Sequence, residues 1–241
     1  MDFMTDKLEI SDRIIHLEND FCVVTKLAGE NSQTDIPKIF KDEIEFKLNK
    51  KIDFIECPHR LDMPVSGIQI IALNKESFNF FTQNFSNNKI HKTYWAIVEG
   101  IHDLQYQTLQ DFLVFNTKKQ KAYLHDEQVR KSKKVVLDFN IFAQGQKYSF
   151  VEVFPQTGRT HQIRAQLSKN LMPIKGDVKY GAKRSDTIPG IRLVARSIKT
   201  PVPNSKELKE FTSQIFPIDN LWQSFIDSYE LYKQGFSDGK K

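Results

Sequence analysis

The sequence predicts an α+β fold with a largely antiparallel sheet. Three observations carry this expectation. Strand-length apolar segments precede, interrupt and follow segments of helical period. Residues 135–142 alternate cleanly, with Val135, Leu137, Phe139 and Ile141 on one face and Asp138 and Asn140 on the other, and YSFVEVF at 148–154 follows across an AQGQK turn as an antiparallel partner. The chain has 241 residues, the length of one large domain or of two lobes sharing a core, at about 100–200 residues per domain.

The elements follow in order. Residues 14–26 (IIHLENDFCVVTK) hold two short apolar runs around a polar turn, the start of a hairpin. In 38–50, Ile39, Phe40, Ile44 and Leu48 fall near helical spacing. GIQIIAL at 67–73 reads as a buried strand. Lys75 to Asn88 then carries Phe78, Phe81 and Phe85 at i, i+3 and i+7, a core-facing helix stripe. KTYWAIVE at 92–99 is the next strand, ended by Gly100. After 148–154, a sharp QTGR turn leads into a helix with Thr160 as N-cap and Ile163, Leu167 and Leu171 as its apolar stripe. Arg164 lies at the edge of that stripe, so burial would require a carboxylate partner. Trp222, Phe225, Tyr229 and Tyr232 mark a last helix at 219–233, and the tail GFSDGKK is expected to be loose.

Composition excludes several classes. Hydrophobic residues are 39% and aromatics 12% of the chain, enough for a core and too much for a disordered one. No apolar run approaches the roughly 18 residues that span a bilayer, and MDFMTDKLEI lacks the apolar region of a secretory signal. Cys22 and Cys57 are 35 positions apart without neighbouring ligands, so both read as buried free thiols, not as a disulfide framework or a zinc site. The expectation is a soluble, cytoplasmic protein.

The net charge of +5 is unevenly spread. Residues 1–58 are acid-rich, 118–134 hold seven Lys/Arg against Asp126 and Glu127, and 159–199 hold ten against Asp177 and Asp186. A charge run is commonly just a solvated face, yet two basic segments able to line one groove are the footprint of a nucleic-acid binder.

No G-x-G-x-x-G, P-loop, H-E-x-x-H, zinc-deaminase or G-x-S-x-G motif occurs, so a reaction without metal or organic cofactor is expected. Two segments are too dense in polar residues for ordinary loops: PHRLDMPVSG at 58–67 and TGRTHQIR at 157–164. HRLD alone could be a capped turn with a local ion pair. Taken together, a lone carboxylate among surplus arginines suggests an aspartate kept ionised by a cation, able to act as nucleophile or base.

HRLDMPVSGI, KTYWAIVEG, TGRTHQIRAQL and GDVKYG, in that order and with ENDFCVVTKLAG before them, resemble the RluA family of RNA pseudouridine synthases. The resemblance covers about residues 14–203. It implies one catalytic domain over 1–241, two-lobed, with a long mixed, mostly antiparallel sheet and flanking helices around a central cleft, and a C-terminal helical extension at about 204–233. It implies the isomerisation of uridine in rRNA or tRNA to pseudouridine, with base flipping and no cofactor. By this resemblance Asp62 is the catalytic aspartate, acting on the ribose as base or nucleophile. Tyr94 packs on the uracil and is suited to take the C5 proton, and Arg164 pairs with Asp62. Arg60 contacts the RNA vacated by the flipped base, and His59, Lys92, Arg159, His161 and Ile163 complete the RNA-facing set.

Plainer roles stand beside these. His59 and His161 read as loop- and helix-ordering hydrogen bonders before proton shuttles, Gly176 and Gly181 as turn glycines, Asp177 as a cap or local partner, and Tyr180 as core. Met63, Val65 and Arg196 (at the family's His position) depart from the pattern, which bears on substrate choice at the rim. The segment before Ile14 is too short for the small RNA-binding domain of many relatives. Target choice then falls to the catalytic domain, with monomer as the default state. The alternatives are a non-catalytic RNA-binding or RNA-folding module using the same cleft, and an aspartate-based glycosylase that breaks the same bond without reattaching the base.

Overall fold

Strand β2 (Phe21–Lys26) explains how the layers are arranged. All six of its residues are buried: Phe21 and Val23 enter one apolar cluster, while Cys22 and Val24 enter another. A sheet covered on both faces produces such a continuous apolar run. The computed structural model describes residues 8–205, 207–215 and 218–238.

Strands β1 (Ile14–Leu17), β2 and β3 (Ser66–Ala72) form an antiparallel edge. Strands β4 (His91–Glu99), β5 (Gln105–Asn116), β6 (Lys121–His125), β7 (Lys133–Gln144) and β8 (Tyr148–Pro155) supply the other half. With β9 (Leu193–Pro201) and β10 (Leu208–Thr212), the order is β1-β2-β3-β9-β4-β8-β7-β5-β6, and β10 pairs with β9. The halves meet through one short parallel pairing, Ser66 with Val194 and Gly67 with Ala195. At Gly67 (φ +120°) a Cβ would lie 2.3 Å from the Ala195 carbonyl oxygen, so only glycine permits the junction.

Helices α2 (Lys75–Ser86) and α3 (Gln162–Lys169) pack on the face of Phe21 and Val23, through Phe81, Ile163 and Leu167. Helix α1 (Ile36–Leu48) covers the opposite face at the β1–β3 end through Ile36, Phe40 and Ile44. Helix α4 (Asn220–Asp238) covers that face at the other end, with Trp222 and Phe225 against Trp95, Phe142 and Phe150. The alternation in β7 appears as expected, with Val135, Leu137, Phe139 and Ile141 all buried.

Several local expectations are corrected. The region 204–233 is not wholly helical: β10 adds a strand to β9 before α4 begins at Asn220. GFSDGKK is not all loose, because α4 runs to Asp238; residues 239–241 lie outside the described residues, as does most of the opening MDFMTDKLEI. The basic block at 118–134 forms the β5–β6 turn, strand β6 and the entry to β7. Helix α3 stops at Lys169, so Leu171 leaves the apolar stripe and is 82% exposed. There Leu171 turns left-handed (φ 61°) and the Met172 amide donates to the Leu167 carbonyl, a Schellman ending reinforced by Pro173.

Candidate active site

The loop carrying Asp62 is tied down from several directions. The Lys26 ammonium, buried at the end of β2, donates to the carbonyls of Val65 (2.7 Å), Leu27 (3.0 Å), Met63 (3.3 Å) and Asp62 (3.4 Å). Burial pushes this lysine down to about 8, against smaller opposing contributions from Glu30 and Asp62. Ser32 Oγ accepts the Leu61 amide at 2.9 Å. His59 Nε2 accepts the Ile70 amide at 2.9 Å while its ring stacks on Phe85 at 4.5 Å. Burial, helped by Lys92, pushes His59 down to about 3, so it stays neutral and serves as an acceptor that orders the loop.

The second motif forms the facing wall. Thr160 is not the N-cap of α3. His161 occupies that position with a left-handed backbone (φ 60°) and no side-chain cap bond. The turn is instead held by Gln162, whose Oε1 accepts from Thr157 Oγ1 (2.8 Å) and the Arg159 amide (3.1 Å). Thr160 Oγ1 accepts from Arg60 Nη2, which links two motifs 100 residues apart across the cleft.

Arg164 is 4% exposed, and its fork is divided between two carboxylates. Nε and Nη2 reach Asp177 Oδ2 and Oδ1 at 2.6 and 2.8 Å, while Nη1 reaches Asp62 Oδ2 at 3.1 Å. His161 Nε2 lies 3.6 Å from the same Oδ2. Both cationic or N–H groups therefore face Oδ2, and Asp62 Oδ1 takes no hydrogen bond from the described residues. Asp177 is thus more than a local cap; it is the buried anion that seats Arg164. The requirement that a buried Arg164 find a carboxylate pointed to some such partner, but spacing alone did not single out Asp177. Lys26 was missed; a lone lysine closing an otherwise apolar strand was its only signal.

Tyr94, on β4, packs against the main core and lines the cleft. Burial, and secondarily the Asp62 charge, pushes its phenol upward and keeps it protonated. Lys92, two residues earlier, is lowered by burial. The cleft has a volume of about 420 Å³ and brings together all nine residues singled out from the sequence, with Ile163 in the wall and Arg60 and Arg159 exposed. Tyr180 is 4% exposed, and Cys22 and Cys57 are buried free thiols.

The departures fall differently from expectation. Met63 is 54% exposed and Val65 is buried in the cleft wall. Arg196 is not at the rim: its guanidinium lies 4.5 Å over Trp95, in the cluster covered by α4, and donates to the Ser213 carbonyl. The second basic block is also less available than its count suggested. Arg164, Lys169, Lys175 and Arg192 are bound to aspartates, and Arg196 is held on Trp95. Arg159, Lys179, Lys183, Arg184 and Lys199 remain exposed. Among the described residues, no helix is long and apolar enough to cross a membrane, and no group of three His, Cys, Asp or Glu is placed to hold a metal.

A sequence profile described as RNA pseudouridylate synthase matches residues 20–169, from the start of β2 to the end of α3, and so spans Asp62, Tyr94 and Arg164. The chain belongs to the RluA family of RNA pseudouridine synthases. It is an isomerase that converts uridine in RNA to pseudouridine. This family member is 27% identical to the ribosomal large subunit pseudouridine synthase D of Borreliella burgdorferi over 92% of its own length and 74% of the relative's. It is 28% identical to the dual-specificity RNA pseudouridine synthase RluA of Haemophilus influenzae over 83% of its length and 92% of the relative's. The pseudouridine synthase fold recurs in human RNA pseudouridylate synthase domain containing 4, with a TM-score of 0.74 at 19% identity, covering 92% of this chain and 94% of that one.

Proposed function

We propose that this enzyme isomerises a uridine flipped out of structured ribosomal or transfer RNA, with Asp62 as the catalytic carboxylate. The observation that carries the assignment is the asymmetric holding of Asp62: Arg164 and His161 face Oδ2, which leaves Oδ1 for the ribose. Acting on the sugar as nucleophile or base, Asp62 promotes loss of the N1–C1′ bond. The uracil turns, C5 bonds to C1′, the C5 proton leaves and N1 regains one, so no atom is lost and no cofactor is needed. Tyr94 is a wall for the uracil ring. Because its phenol stays protonated, it takes the C5 proton only if its own hydroxyl proton departs in the same step.

A cleft of about 420 Å³ falls within the roughly 300–1,000 Å³ of small-molecule sites and admits one extruded nucleotide. Extrusion costs a few kcal/mol of stacking, which phosphate contacts at exposed lysines and arginines offset. Arg60 and Arg159 stand at the mouth to meet the gap left in the RNA, and Lys92, His161 and Ile163 line the approach. One chain builds the whole cleft, so the reading requires only a monomer, and the cytoplasm is the compartment it implies. Asp62→Asn should abolish tritium release from C5-labelled uridine RNA while RNA binding stays nearly intact. Unchanged release by the variant would refute the assignment, and free uracil as product would point to a glycosylase.

A further inference from the structure

Tyr180 lies in the short helical turn Val178–Tyr180, behind the catalytic wall. Its hydroxyl oxygen accepts the backbone amide of Ala122, in β6, at 2.7 Å and lies 2.9 Å from His161 Nδ1. The ring is held between the Arg164 guanidinium at 4.9 Å and the Lys121 ammonium at 5.1 Å, edge-on to the His161 ring. Nδ1 is the one acceptor within reach of the hydroxyl proton among the described residues, and a phenol that donates to Nδ1 leaves the ring proton on Nε2, 3.6 Å from Asp62 Oδ2. His161 reaches this position only through a left-handed backbone (φ 60°), a conformation a non-glycine residue adopts at a cost and that clusters at functional sites.

We propose that Tyr180 and His161 form a positioning pair that braces Oδ2 of Asp62 against the β5–β6 hairpin and so presents Oδ1 to the ribose. The proposal rests on the reading of Asp62 as the catalytic carboxylate. Neither residue need touch substrate for it to hold. The pair also protects the carboxylate from an imidazolium, which would bind Oδ2 more strongly and draw charge away from the reacting oxygen. Burial first keeps His161 below its ordinary range, against the Asp62 charge and with Arg164 and Lys179 assisting, while Asp177 opposes. The groups facing it are Asp62 from the loop before β3, Arg164 from α3, Asp177, Lys179 and Tyr180 from the segment after α3, and the edge of Phe115 from β5. The Tyr180 hydroxyl adds a hydrogen bond to the neutral imidazole, and a bond to the neutral form disfavours the charged one.

Tyr180→Phe keeps the ring and removes that bond. In tritium-release assays kcat should fall roughly 10–100-fold, as for a slight misplacement of a reacting group, with KM for RNA unchanged. Its kcat should also fall off on the acid side at a higher pH than that of the wild type, because Nδ1 becomes free to take a proton. His161→Gln, whose amide can offer an N–H to Oδ2, should retain more activity than His161→Ala and show no such shift. This comparison decides the matter if Tyr180→Phe proves unstable in thermal unfolding. A Tyr180→Phe enzyme with wild-type kcat and pH profile, or equal losses in His161→Gln and His161→Ala, overturns the positioning pair. If Asp62→Asn is inactive in the same assay, the pair alone falls; if Asp62→Asn is active, the underlying reading falls with it.

Discussion

Replacing Asp177 with asparagine asks whether charge or packing seats Arg164. The Asp177 carboxylate is 2% exposed and receives two of the three Arg164 hydrogen bonds, at 2.6 and 2.8 Å, while the third goes to Asp62 at 3.1 Å. The amide keeps the volume and one acceptor oxygen but removes the charge. A guanidinium that is 4% exposed is then left with Asp62 as its sole ion-pair partner. Removing one member of a buried pair costs about 3–5 kcal/mol, and the surviving acceptor places this case near the lower end, about 3 kcal/mol. A domain of about this size loses about 2–4 °C in Tm per kcal/mol, so Asp177→Asn should lower Tm by roughly 6–12 °C in differential scanning calorimetry. Released from its two-pronged seat, Arg164 should hold Asp62 less firmly, and kcat for tritium release should fall while RNA affinity stays close to wild type. A Tm drop below about 3 °C with unchanged kcat would refute this reasoning, and would show that stacking on Tyr180, at 4.9 Å, holds Arg164 without the charge.

Two further outcomes are expected. Lys118 and Lys119, exposed at the β5–β6 turn, should contact phosphate. Neutralising both should flatten the slope of log affinity against log salt by about 1.5, and an unchanged slope would make that turn a merely solvated face. Lys26 lies at about 8 when folded against an ordinary 10.5, so between those values the unfolded chain binds a proton that the native one lacks, and this group's contribution to stability rises with pH. Denaturant titrations of wild type and Lys26→Met at about pH 7.5 and about pH 9.5 should show the difference moving in favour of wild type at the higher pH, and a pH-independent difference would contradict the buried-ammonium account.

Elements whose burial repeats at a simple period could be read from sequence. Strand β7 alternates because one of its faces meets the core, and the Phe78, Phe81 and Phe85 stripe marks α2 because one of its sides does. The β5–β6 hairpin escaped for the opposite reason. Its tip is Thr117 to Gln120, with lysines outside the sheet, and its buried positions include Asp111 beside Leu109 and Leu113. Asp111 is tolerated there because Lys169 (2.7 Å) and Gln166 (2.8 Å) satisfy it, and both lie on α3, more than fifty residues away. Strand β10 escaped because it is five residues long and borrows its regularity from β9. The true end of α3 depended on a left-handed leucine, which no periodicity reports.

The members of the candidate site were legible through the family resemblance of their motifs, whereas their division of labour was not. A buried arginine demands an anion, and the resemblance, not the spacing, paired Arg164 of HQIR with Asp62 of HRLD. That demand alone leaves one guanidinium and one carboxylate in an exclusive pair, with both aspartate oxygens engaged. The structure avoids this through partners that only the folded chain supplies. Asp177 takes two prongs of Arg164 and leaves one for Asp62, and the backbone carbonyls around Asp62 are gathered by Lys26. The carboxylate is thereby positioned on one oxygen without being consumed as a counter-ion. It is the second aspartate, absent from any reading of the two polar motifs alone, that keeps the buried arginine from engaging both oxygens of Asp62.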